Sequence, residues 1–232
     1  MLKNFNRYEG LTLAFIAIIT LIGFVLSYLD HDFFKETFVT EDGFIEWLTV
    51  IALVMTMIVS FRRVWVLRHH RSSAFLAITA LVGLLFLFGA GEEISWGQRI
   101  LNIESTDFFK EHNAQGEINL HNLVVKDTKI NKLVFGKILG ILLLLYLAVI
   151  CPLYKSNQKA RKIADQLAIP IATRYQTIAY VLILILVQVL MVSSKKGELL
   201  EFSVSFMFFL NITFPYNRSI FVPPASAAQQ QD

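Results

Sequence analysis

Glu46, Glu92, Glu93, Glu198 and Glu201 lie at the margins of long apolar runs, where an ionised carboxylate is expensive unless it is paired or hydrated. If these residues converge, like charges a few ångströms apart require a shared proton or a cation, either a metal ion or Arg99. The densest segment is Gly91-Glu-Glu-Ile-Ser-Trp-Gly-Gln-Arg99. Read as a helix, it places Glu92, Ser95, Trp96 and Arg99 on one face, because positions three and four apart are neighbours. Glu93 falls to one side, and Gly97 allows close approach of another helix or a ligand. Downstream, in Asn113-Ala-Gln-Gly-Glu-Ile-Asn-Leu-His-Asn122, Glu117 and His121 are four apart. On a helix they point the same way, as Glu and His metal ligands do, with Asn119 and Asn122 able to orient them. A single Glu-x-x-x-His pair also arises by chance. The predicted metal ligands are Glu93, Glu117 and His121, for zinc, manganese or iron, all of which accept mixed oxygen and nitrogen donors. Glu92 and Glu93 are predicted to act as acid and base, Ser95, Gln98 and Asn122 to orient a substrate, and Arg99 to meet a phosphate.

The elements that must position these residues are membrane helices. A hydrocarbon core about 30 Å thick needs about 20 mainly apolar helical residues. Residues 11–29, 44–61, 74–90, 133–153, 175–194 and 199–214 come closest, predicting an all-α polytopic bundle of about six spanning helices. The first lacks a small-residue cleavage site before Asp30-His31-Asp32 and reads as a retained helix rather than a signal peptide. The sixth run, about 16 residues long, is the shortest and could instead be re-entrant or interfacial. With the N-terminus on the cytoplasmic side, 12 Lys and Arg fall in cytoplasmic loops and ends against eight outside, the bias that sets membrane orientation. Both termini are then cytoplasmic, and 15 of the 18 acidic residues lie outside or near outer helix ends. The outer segment 91–132 is predicted to be an ordered loop capping the bundle, with short amphipathic helices over 105–112 and 117–125. Residues 1–222 read as one domain, and the Pro/Ala/Gln-rich residues 223–232 as a disordered tail.

Composition agrees with this and narrows function. Of 232 residues, 55% are hydrophobic and only 17% charged, and the mean hydropathy of +0.57 excludes a cytosolic enzyme or a disordered chain. A net charge of +3 leaves no basic footprint for nucleic acid. The single Cys151 excludes an internal disulfide and a cysteine-based zinc site, and there is no G-x-S-x-G nucleophile segment. His112 reads as a surface residue, His69 and His70 as headgroup contacts, and Trp47, Trp65 and Trp96 as an interfacial aromatic belt.

The segments GEEISWGQR and NAQGEINLHN resemble a pair of blocks found in a family of bacterial polytopic membrane proteins of unassigned activity. The resemblance covers residues 91–122 and implies a place, the bacterial inner membrane, more than a reaction. A looser likeness is to membrane hydrolases of the alkaline ceramidase and adiponectin-receptor type, which hold zinc with helix histidines. This chain lacks their paired membrane histidines, so none of their residues is carried across.

Two functions of different classes are therefore expected. One is a metal-assisted hydrolase or transferase acting on a lipid or lipid-linked substrate at the outer interface. The other is a non-enzymatic accessory subunit or cation-transport component working with a membrane-protein partner; the scarcity of mid-membrane polar groups other than Gln188 weighs against a carrier.

Overall fold

The computed structural model describes residues 6–125, 128–129 and 138–224. Its main helices are α1 (Arg7–Leu29), α2 (Phe44–Leu67), α3 (Ser73–Glu93), α4 (Asp107–His112), α5 (Leu139–Ser156), α6 (Gln158–Gln166), α7 (Arg174–Leu190) and α8 (Lys196–Thr213). Apart from a ribbon pairing Val124–Val125 with Thr128–Lys129, the regular structure among the described residues is helical. Four helices, α1, α2, α3 and α5, are long and apolar enough to cross a membrane. The predicted start of the fourth run at residue 133 and the tail from 225 onward lie outside the described residues.

Local sequence sets the helix limits. Asn6 caps α1 by accepting the Tyr8 amide, Ser72 caps α3 through Phe75, and Thr173 and Gln176 form a reciprocal capping box on α7. Helix α5 widens into a π turn over Tyr146–Ile150 just before Pro152, which has no N–H for the ladder.

Helix α8 is the centre of the bundle. It packs against α1, α2 and α7, while α2 also carries α3. Leu199, Phe202, Ser203, Val204, Phe206, Met207, Leu210 and Asn211 are all buried, so the shortest apolar run forms the most enclosed helix. Its contact with α1 combines the Phe15 ring against Phe202 and Phe206 with a stretch of small residues, common where helices meet in lipid. Thr20 and Ser203 share a hydrogen bond of 2.9 Å, and a Cβ on Gly23 would lie 2.8 Å from Leu199 Cδ2. The outer faces of the bundle present large exposed apolar side chains, among them Leu21, Val25, Ile58, Leu85, Leu142 and Leu182. A belt of this kind has no place in water and is the face a bilayer covers.

One end of the bundle is closed by a second polar network. Buried Gln176 donates to Glu9 (2.9 Å) and to the last carbonyls of α8, Leu210 (3.3 Å) and Phe214 (3.0 Å). Asn211 links it to Tyr146. The polar groups of this network are thus satisfied by one another.

Two predicted helices do not form. The helix expected to continue from Gly91 through Arg99 stops at Glu93, because Ser95, Trp96 and Gly97 all adopt positive φ (47°, 54° and 78°) and reverse the chain. A short turn, Gln98–Leu101, follows. Residues 117–123, expected within a helix, form turns and bends, ending in the Val124–Val125 strand. Asn113 Oδ1 takes the amides of Gln115 (2.8 Å) and Glu117 (3.3 Å), Gly116 sits at φ 68°, and Asn113 Nδ2 reaches the Asn119 carbonyl and side chain. Side chains that capture nearby backbone groups in this way compete with the helix ladder. The expected helix over 105–112 is present as α4.

Candidate metal centre

The site forms where the C-terminus of α3, the N-termini of α2 and α8 and the loop 94–123 meet. Glu92 is the latch between helix and loop. It is 3% exposed; Oε1 accepts the Trp96 indole N–H at 2.8 Å, and Oε2 accepts the backbone amides of Leu120 (2.6 Å) and His121 (2.9 Å). Both oxygens are therefore engaged in placing the loop. The Trp96 ring lies directly over Gly91, where an added Cβ would stand 2.8 Å from ring carbons. Gly91→Ala should displace the indole, loosen the latch and destabilise the protein by about 1–3 kcal/mol, seen as a lower Tm in detergent. An unchanged Tm would contradict this packing.

The latch brings His121 over the helix ends. Glu93, His121 and Glu201 each direct one ligand atom into a common space, and the three atoms lie within 4.8 Å of one another. Ligand bonds of about 2.0–2.2 Å keep donors on one ion within roughly 4.4 Å, so a small inward movement would complete a coordination shell. This Glu-His-Glu group could hold a metal ion. Glu201 Oε2 is buried without a hydrogen-bond partner and lies 3.9 Å from His121 Nε2. Tyr180 OH and Thr213 Oγ1 are also buried without a partner, but of the three atoms only Glu201 Oε2 is an anionic acceptor, the kind of donor a cation takes. Burial pushes the His121 imidazole below its ordinary pKa, with the Glu92 charge opposing, so the neutral, ligand-competent form is favoured at neutral pH.

The pocket beside this group has a volume of about 30 Å³ and is lined by Glu41, Glu46, Glu92, Glu93, Glu198 and Glu117, with Arg99, His121 and three amide side chains. The carboxylates of α2, α3 and α8 that the sequence placed at one depth do meet. Arg99 offsets part of their charge: it pairs with Asp42, with Glu46 (3.7 Å) and with Glu117 (3.3 Å).

The other predicted residues occupy distinct places. Glu117 stands outside the Glu-His-Glu group; its Oε2 accepts Ser95 Oγ–H (2.5 Å) and Asn119 Nδ2–H (3.2 Å). Ser95 is fully buried and also accepts from Asn119. Gln98 ties the loop together, donating to Ser105 (2.7 Å) and accepting the Ile118 amide (2.6 Å). Asn122 lines the pocket and donates to Gln115 (2.6 Å). Sequence reasoning placed Glu201 in the carboxylate belt without making it a ligand. The signal was available: it is the one acidic residue past the first turn of α8.

Comparison with protein-family models, with curated proteins and with solved structures finds no match for this chain.

Proposed function

We propose that this chain is a membrane-embedded metalloenzyme, a hydrolase or transferase acting on a lipid or lipid-linked substrate at the outer interface. The observation that carries the reading is the meeting of Glu93, His121 and Glu201 beside a water-sized pocket. Three protein ligands with a position left for water is the usual plan of a catalytic metal site. A divalent ion of zinc, manganese or iron held there would supply an activated water. Glu46 and Glu198, on the pocket wall outside the ligand group, are the bases available to take its proton. Glu92, Ser95, Gln98, Asn119 and Asn122 fix the loop that carries His121, and Arg99, engaged by three carboxylates, holds the wall.

In this reading α7 and α8 also span, giving six crossings, with both termini cytoplasmic as the Lys and Arg bias favours and the site on the outer, periplasmic side of a bacterial inner membrane. A second reading, a cation-binding accessory subunit or transport component with a membrane-protein partner, is favoured by the size of the pocket, which has room for water or an ion but not a headgroup.

Elemental analysis of the purified protein, after exposure to zinc, manganese and iron in turn, tests both. The expected result is close to one ion per chain. Absence of any bound metal overturns the metal centre. Metal without turnover of outer-leaflet lipids in reconstituted vesicles favours the second reading over the first.

A further inference from the structure

At the end of the bundle away from the carboxylate pocket, α5 and α7 flank a groove of about 510 Å³ lined by Leu147, Cys151, Pro152, Lys155, Arg174, Thr177 and Ile178. That volume lies within the range of small-molecule sites, about 300–1,000 Å³. Its floor is apolar: Leu147 and Cys151 are buried, and Ile178 stands exposed along one wall. Its rim is cationic. Lys155, in the last turn of α5, and Arg174, the first residue of α7, are both exposed.

Among the described residues, no carboxylate lies within ion-pair distance of this rim. Asp165 on α6 accepts Tyr154 OH (3.0 Å) and Asn217 Nδ2 (3.1 Å), and Glu9 on α1 accepts Gln176 and Thr173. The Lys155 ammonium lies 5.3 Å from the centre of the Tyr216 ring, a contact that positions the charge without neutralising it. Helix α6, which joins the two walls, adds exposed Lys159, Arg161 and Lys162 beside exposed Ile163, with Ala164 turned inward. A short basic amphipathic helix of this kind lies at a membrane surface.

An apolar slot opening on the lipid face, with two cations at headgroup depth that have no ion-pair partner among the described residues, matches one abundant molecule of the membrane. We propose that this groove seats an anionic phospholipid, its phosphate between Lys155 and Arg174 and an acyl chain along Leu147, Cys151 and Ile178. Basic pockets between membrane helices bind anionic headgroups by this combination of charge and apolar burial. The site is independent of the metal centre, and its occupancy braces α5 against α7.

Native mass spectrometry of the full chain tests the proposal, with phosphatidylglycerol and phosphatidylcholine of identical acyl chains as probes. The parent should retain one phosphatidylglycerol per chain, at least about tenfold more than phosphatidylcholine, an amount two charge-assisted phosphate contacts readily supply. Lys155→Gln with Arg174→Gln, both at exposed positions, should bring the two lipids level. Ile178→Trp, which fills the slot without changing charge, should lower retention of phosphatidylglycerol about tenfold. Equal retention of both lipids by the parent overturns the proposal without recourse to any variant. So does a preference that survives the double substitution, which would assign it to the charges of α6, or retention of phosphatidylglycerol that Ile178→Trp leaves unchanged.

Discussion

His121→Ala protein should hold less than about a hundredth of the parent's metal at matched free-ion concentration, since loss of even an outer-shell partner commonly lowers metal affinity 10–100-fold. Glu93→Gln and Glu201→Gln should behave alike, because each keeps side-chain size while removing one anionic donor from the group within 4.8 Å. Glu117→Gln is the informative contrast. Its carboxylate is engaged by Ser95, Asn119 and Arg99, so the variant should keep most of its metal. The four proteins, measured side by side for metal per chain and for retained helix content, distinguish two ligand sets. Loss of metal in Glu117→Gln together with its retention in Glu201→Gln would restore the set expected from sequence spacing and reject the Glu-His-Glu group.

The largest stability effect should come from Glu92→Ala. A buried carboxylate that accepts three hydrogen bonds leaves three donors stranded when it is removed, two of them the amides of Leu120 and His121. Hydrogen bonds to a charged group contribute about 1.5–3 kcal/mol each and are not additive, so a total loss of about 3 kcal/mol or more is expected. Two measurements report it: a lower Tm in detergent, and faster hydrogen exchange at the Leu120 and His121 amides. Metal retention should fall as well, because the backbone that holds His121 is no longer anchored. Glu92→Gln keeps one acceptor oxygen and should lie between the two. Unchanged exchange at both amides in Glu92→Ala would show that the loop is held by other contacts.

Much of the molecule could be read from residue type alone. Apolar runs long enough for a membrane must satisfy their own backbone as helices, and each of the six expected runs is helical over most of its described residues, although the run 175–194 ends as a helix at Leu190 and four helices reach spanning length and hydropathy. The common depth of Glu46, Glu92, Glu93 and Glu198 follows from alternating helix direction, which returns the start of α2, the end of α3 and the start of α8 to one end, whereas their convergence depends on α2 packing against both α3 and α8, which sequence does not specify. The loop was legible in composition but not in conformation. Glu117 and His121 are four apart, yet Asn113 and Gly116 divert the chain from a helix, so Glu117 turns to Ser95 while His121 turns to Glu201. Helical spacing has no bearing on residues whose backbone bonds are made by side chains. The role of Glu92 was hidden for a similar reason: its acceptors match amides more than two dozen positions downstream, a pairing visible only once the chain has folded back.

The three side chains of the candidate centre come from α3, the loop and α8, the last α-helix among the described residues. During synthesis the ribosome delivers Glu93 well before Glu201; at about 5–20 residues per second, roughly a hundred residues separate them by several seconds. A nascent chain lacking α8 holds only two of the three grouped donors. If the group binds an ion, stable uptake belongs after insertion of α8, and bound metal would then be a timestamp for assembly: truncation before α8 should yield chains that enter the membrane without acquiring the ion.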